Sequence, residues 1–263
     1  YLCKIYKQLI HKSVEMPFTS SQIHFCVTCF IHRKIILTYQ NKNDMKRLII
    51  TNGDYNIYQV NKNYLYAIAK FVVLENYKHH TNDVCSKNTE EDILKVYKEE
   101  LQFSSVAYLF IAENHRGKLI GCIRVMKWDK ITRLPIHKIF NINLQKCIPC
   151  SEAKSFWHIG RFAIDSLNSR SSILLFKQLM ICAVHQIICD THGCMIAETD
   201  SKLLRILQLL GIQTHTLGPG VIYLGSETIP LYATKFGLSK FYNSHRHLLC
   251  NLNISHNVQL ETA

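Results

Sequence analysis

Phe156–Ile164 reads FWHIGRFAI. Aromatic and isoleucine side chains dominate it, and nothing in it breaks a strand, so it reads as a β-strand. Two polar residues interrupt the apolar run, His158 and Arg161. They stand three residues apart, so an ideal strand would point them to opposite faces. Downstream the elements alternate. Ser171–Asp190 is a long apolar helix and Cys194–Glu198 a strand. Asp200–Leu210 (DSKLLRILQLL) is a helix stopped by Gly211. Val221–Leu224 and Ile229–Thr234 are late strands. Upstream, Ser105–Glu113 and Leu119–Trp128 (LIGCIRVMKW) are two strands turned at His115-Arg116-Gly117-Lys118, a hairpin. Residues 129–153 hold Pro135 and Pro149 and read as irregular.

Earlier still, Arg47–Ile50 is a short apolar run closed by Asn52-Gly53-Asp54, a turn signal. Asn63–Lys78 carries Leu65, Ile68, Ala69, Val72 and Val73 at a helical period. Thr89-Glu90-Glu91-Asp92 has the composition of a capped helix start, running toward Leu101. A hairpin followed by alternating strands and helices predicts an α/β domain, a mixed sheet with helices on both faces.

The composition fits that class. Of 263 residues, 48% are apolar and 19% charged, which excludes wholesale disorder and collagen-like repeats. One domain of roughly 200 residues with extensions is the simplest division. It is drawn as a domain over 45–243, an N-terminal extension over 1–44 and a polar tail over 244–263. The most apolar segment, Ile173–Cys189, is broken by Lys177 and His185 and falls short of the roughly 18 apolar residues of a membrane span. At most peripheral membrane contact is expected. No secretory signal is visible, so a cytoplasmic location is expected, with the 11 cysteines kept as thiols. The net charge of +12 is spread along the chain and not gathered into a stripe. Solubility or an acidic partner accounts for it, and no nucleic-acid partner is expected.

The order of motifs carries a family likeness. Leu119–Val125 (LIGCIRV), then Leu134-Pro135 and Phe140, resembles a run in acyl-homoserine lactone synthases and related N-acyl amino acid synthases. Trp157–Ile164 (WHIGRFAI) is similar to their W-E-x-S-R-F strand. Leu174–Cys189, Leu203–Gly211 (LLRILQLLG) and Gly218-Pro219-Gly220 match the later elements, so the likeness runs from about residue 60 to 243. The resemblance implies the GNAT acyltransferase fold, a mixed central sheet flanked by helices on both faces. It also implies transfer of an acyl chain from a thioester, usually on acyl carrier protein, to a small-molecule amine. Arg124 and Arg161 align with the arginines of the two strands. His158 takes the place of the motif's glutamate, and Gly160 that of its small hydroxyl residue. The N-terminal Trp- and Asp-containing pattern of the lactone synthases is not found, with Asp83 only a loose counterpart. An amino acid or other amine is therefore the expected acceptor, in place of S-adenosylmethionine.

Acyl transfer to an amine needs a neutral, aimed nitrogen and a proton acceptor. His158 is the expected base, because imidazole titrates near neutrality, and Arg161 is the second expected catalytic residue. Arg124, Glu198 and Trp157 are candidate substrate-binding residues. The plainer reading is a histidine packed beside Trp157 and arginines in structural ion pairs, for example to Glu198 or Asp165. Asp165–Ser172 (DSLNSRSS) follows the strand without the glycines of a pyrophosphate loop. Arg170, Ser171 and Ser172 remain candidates for the donor's phosphate at a helix start. No tightly bound cofactor is expected, with acyl carrier protein or CoA thioesters as co-substrates. Lys127, Lys130, Arg133, Lys138, Lys146 and Lys154 form a basic cluster suited to an acidic carrier. Cys26/Cys29 and Cys147/Cys150 lie too far apart in sequence for a convincing zinc site, so no metal is expected. An acetyl-CoA-dependent N-acetyltransferase and a catalytically silent binding protein of this fold are the alternatives.

Overall fold

A computed structural model describes residues 46–80, 89–149, 153–165, 172–223 and 226–249. The expected extension over 1–44, Asp83, Arg170, Ser171 and the Cys26/Cys29 pair lie outside the described residues.

Strand β1 (Lys46–Thr51) turns at Asn52-Gly53-Asp54 into β2 (Tyr55–Val60). Helix α1 (Leu65–His80) buries Leu65, Ile68, Ala69 and Val73 of the stripe read from the sequence, with Val72 half-buried. Helix α2 (Thr89–Phe103) opens on the acids Glu90, Glu91 and Asp92, which favour a helix N-terminus. The hairpin follows as β3 (Ala107–Asn114) and β4 (Leu119–Lys127), turned at Gly117 with φ +73°.

Residues 129–153 depart from the expected irregularity. They contain two short helices, α3 (Pro135–Phe140) and α4 (Leu144–Cys147). Pro135 stands at the first helical position, where its missing N–H is no loss. The Asn143 side chain caps α4 by accepting from the Lys146 amide. The central unit is then β5 (Ser155–Ile164), α5 (Ser172–Cys189) and β6 (Gly193–Thr199). Helix α6 (Ser201–Leu209) is capped by Asp200, whose carboxylate accepts from the Leu203 amide at 2.7 Å. Strands β7 (His215–Thr216), β8 (Val221–Tyr223) and β9 (Ser226–Thr234) complete the sheet. The expected polar tail does not begin at 244. Helix α7 (Lys235–His245) and a 3-10 turn (Arg246–Leu249) carry the fold onward, and Leu249 is buried in the core.

The strand order is β1-β2-β3-β4-β5-β6-β9-β7, with β8 on β9. All pairs are antiparallel except β5 with β6. Helices α5, α6 and α7 cover one face, over Phe110, Ile123, Val125, Ile159 and Met195. Helix α1 covers Leu109, Ile111 and Cys122 on the other. On that second face α3 and α4 bring Leu134, Ile136 and Leu144 onto Met126, Phe156 and Ile196.

Two irregularities prepare the site. First, β5 and β6 pair only from Ser155↔Gly193 to His158↔Ile196. Beyond that point β5 stays with β4 and β6 with β9, so the central strands part at His158. Second, Cys122 faces Ala163 and Arg124 faces Gly160, so the single residue Ile123 opposes both Arg161 and Phe162. This is a β-bulge with Arg161 at φ +54°. The left-handed conformation costs a non-glycine residue on the order of 1–3 kcal/mol. It also shifts the side-chain alternation by one. The expectation that His158 and Arg161 face opposite ways is therefore overturned: both join one chain of polar contacts, with Arg124 between them.

Candidate active site

Residues directly opposite in a sheet share a face. Arg124 opposite Gly160, and His158 opposite both Met126 and Ile196, thus stand on one face. Glu198, two residues after Ile196 on β6, joins them. Gly160 leaves room for the side chains of Arg124 and His158. A Cβ there would lie 2.8 Å from the Arg124 Nη2 and 3.3 Å from the His158 ring.

A continuous chain of polar contacts crosses the sheet. Arg161 donates through Nε to Glu100 Oε1 at 2.7 Å and through Nη2 to Glu99. Arg124 Nη1 donates to the same Glu100 oxygen at 2.9 Å. Arg124 Nη2 lies 2.7 Å from His158 Nδ1, and His158 Nε2 lies 2.8 Å from Glu198 Oε2. Arg124 is 1% exposed, as are Glu100 and His158.

The chemistry of the donors assigns the histidine tautomer. A guanidinium can only donate, so Nδ1 accepts and the ring proton sits on Nε2, donated to Glu198. Both ring nitrogens are then engaged, and His158 has no lone pair left for a substrate proton. Glu198 differs. Its Oε1 is buried and has no hydrogen-bond partner among the described residues. Burial works against its ionised form. The hydrogen-bonded His158, and then Arg124 and Arg161, outweigh that and hold its carboxyl below the usual range. Glu100 behaves alike: burial opposes ionisation, and Arg124 and Arg161 pull its carboxyl down. Glu198 stands at the end of this chain, where the strands part.

The structure thus brings four sequence candidates together, Arg124, His158, Arg161 and Glu198. Trp157 is not among them. One residue from His158 on a strand, it faces the α5 side, where its indole N–H donates to Asp190 at 3.0 Å. Ser172 opens α5, while its companions Arg170 and Ser171 lie outside the described residues. The expected arginine partners Glu198 and Asp165 give way to Glu99 and Glu100; Asp165 pairs with Lys118. Glu99 and Glu100 are thus site residues that the sequence reading did not name. A signal for one existed. Glu100 continues the buried stripe of Ile93 and Phe103 on α2, a position where an acid must find a cation. In the basic cluster, Lys127 pairs with Asp190 and Lys138 with Glu99. Cys147 is exposed, its companion Cys150 lies outside the described residues, and no metal-holding group of His, Cys, Asp or Glu occurs among the described residues.

No family model matches the chain, and no curated protein does. Solved structures do. FeeM, an N-acyl amino acid synthase from uncultured soil microbes, superposes with a TM-score of 0.51 at 17% identity, over 71% of this chain and 94% of its own. The acyl-homoserine lactone synthase LasI gives a TM-score of 0.48 at 17% identity, over 72% and 94%. The ribosomal-protein-S5-alanine acetyltransferase from Vibrio fischeri gives 0.42 at 14%, over 70% and 95%.

Proposed function

Starting from the GNAT-like fold shared with these acyltransferases, we propose that the chain is an N-acyltransferase. It moves an acyl chain from a thioester to the amine of a small molecule, an amino acid being the preferred acceptor. The observation that carries this reading is the unpartnered, buried oxygen of Glu198 where β5 and β6 part. A carboxylate with one oxygen held by His158 and the other unengaged attracts a primary ammonium and can take its proton.

The ammonium gives one proton to Glu198, and its nitrogen lone pair attacks the thioester carbonyl carbon. The tetrahedral adduct passes the second nitrogen proton to the departing sulfur as the C–S bond breaks. The products are an amide and a thiol, and Glu198 releases its proton to solvent. His158 is the positioning residue that fixes Glu198, and Arg124 fixes His158. Arg161, through Glu100, holds Arg124 in place. Trp157 supports β5 from the other face.

The donor is an acyl carrier protein or CoA thioester in the cytoplasm. The absence of glycines from Asp165–Ser172 favours the carrier, with Arg170, Ser171 and the helix start at Ser172 taking the phosphate. The exposed lysines of the basic cluster suit an acidic carrier. No tightly bound cofactor enters the reaction.

The test is turnover by the purified full chain with long-chain acyl-CoA or acyl-carrier thioester and a pool of amino acids. Loss of the thioester should require the amine and fall by about 10²–10⁴ in Glu198→Gln. Equal rates for the two proteins would refute the assignment of Glu198.

A further inference from the structure

A separate cleft of about 280 Å³ opens between the end of β4 and α4, lined by Trp128, Lys130, Ile131, Arg133, His137 and Asn141 among others. Its remaining walls add Thr132, Ile142 and the carboxamides of Asn143 and Gln145. No acid lines it. The nearest in sequence, Asp129, is consumed by its own loop. It accepts from the amides of Ile131 at 2.9 Å and Thr132 at 2.7 Å, and from the Thr132 hydroxyl at 2.6 Å. Neither Lys130 nor Arg133 is in an ion pair among the described residues. The cleft therefore joins two unneutralised cations, carboxamide donors and an apolar wall, with Ile131 85% exposed. The frame is built. The Trp128 indole N–H donates to the Thr132 carbonyl at 2.7 Å, and the His137 ring packs on Trp128 at 4.7 Å. His137 Nδ1 accepts from the Leu134 amide at 3.0 Å, which fixes that ring.

Its location relates it to the site. Helix α3 lies on the same sheet face as His158, over Phe156 and Ile196. His137, on the cleft wall, lies within electrostatic range of Glu198. The cleft follows Lys127, which pairs with Trp157 near the start of β5, whereas the donor-phosphate candidates follow the other end of β5. We propose that this cleft binds an oxyanion of a small ligand, and that the oxyanion is the carboxylate of the amine substrate. The second half rests on the acyltransferase reading. Glu198 stands four residues, about 13 Å, along the sheet from the row of Trp128, Phe156 and Cys194, so an acceptor with its ammonium at Glu198 and its carboxylate at Lys130 and Arg133 is then an extended amino acid, held at both ends. A phosphate, such as that of phosphopantetheine, shares the oxyanion chemistry and is the other source.

The test needs no turnover. The chain has two tryptophans, and Trp128 lines the cleft, so its emission reports on binding. The full-length protein is titrated with tyrosine, acetate, 4′-phosphopantetheine and, as a cationic control, methylamine. Lys130→Gln/Arg133→Gln is run beside it, and Trp157→Phe, where it folds, isolates the Trp128 signal. Tyrosine's own emission is avoided by exciting the indoles alone. The expected result is saturable change with carboxylates, none with methylamine, and at least tenfold weaker binding in the double variant. In the turnover assay with acyl-CoA as donor, which takes carrier docking out of the measurement, that variant should raise KM for the amine and leave KM for the thioester unchanged. No saturable response to any anion, or an equal response in the double variant, overturns the site. A response to phosphopantetheine alone keeps the oxyanion site and overturns its assignment to the amine. A failed turnover assay with intact anion binding would instead count against the acyltransferase reading.

Discussion

Arg124 lies over the backbone of Gly160, and any side chain there collides with it. Gly160→Ala places a methyl 2.8 Å from the guanidinium nitrogen. The expected loss is about 1–3 kcal/mol of stability, as for other overpacked cores, read from urea unfolding; an unchanged midpoint would contradict the geometry. His158 supports a sharper distinction. A glutamine at 158 offers one acceptor to Arg124 and one donor to Glu198, as the imidazole does, but cannot act as a base. If His158 positions Glu198, His158→Gln keeps turnover within about tenfold; if His158 takes the proton, the loss is the roughly 10²–10⁴ of a missing general base. The sequence pointed to His158, Arg161, Arg124 and Glu198 because polar residues stood in or beside apolar strands. It could not assign their roles, since the hydrogen bonds that occupy both ring nitrogens come from β4 and β6.

Helix α2 contributes the carboxylate that makes the buried Arg124 and the half-buried Arg161 tolerable. Glu100 Oε1 accepts from both Arg124 and Arg161. Removing that charge leaves Arg124 without a counter-ion and Arg161 with Glu99 alone, and Glu100→Gln should cost about 3–5 kcal/mol, measured by denaturant unfolding. The same contacts give a pH dependence with a definite sign. Glu100 and Glu198 are held below the ordinary value of 4.5 in the folded protein. Their contribution is full above that value and is lost as pH falls through the lower folded value. Stability should therefore fall on acidification below about pH 4.5, and the fall should be shallower in Glu198→Gln than in wild type. An identical acid limb would contradict the coupling. The bulge at Arg161 was not legible because the apolar pattern of Phe162-Ala163-Ile164 fits a strand with or without it. A partner on α2 decides it. The helix at Pro135 was missed for a local reason: proline breaks a helix interior but suits its first turn.

At the scale of the whole molecule, the alternation of strands and helices was legible from Arg47 to Thr234, save for β2, β7 and the short helices α3 and α4, and with it the mixed sheet. The parting of the central strands was not. Nothing in the sequences of β5 and β6 marks the point of parting, and only the pairing shows that the ladder stops at His158↔Ile196. That parting opens the sheet beside Glu198, and the Lys130–Arg133 cleft sits on the same face. The fold thus presents an acid and a pair of cations to one small acceptor. The most direct test of acyl transfer is mass spectrometry of lipid extracts from cells expressing the full chain, wild type beside Glu198→Gln. An N-acyl amine bearing a carboxylate, present with wild type and absent with the variant, is the predicted result. A soluble, folded wild-type protein that yields no new acylated amine, or a variant that yields the same one, would contradict it.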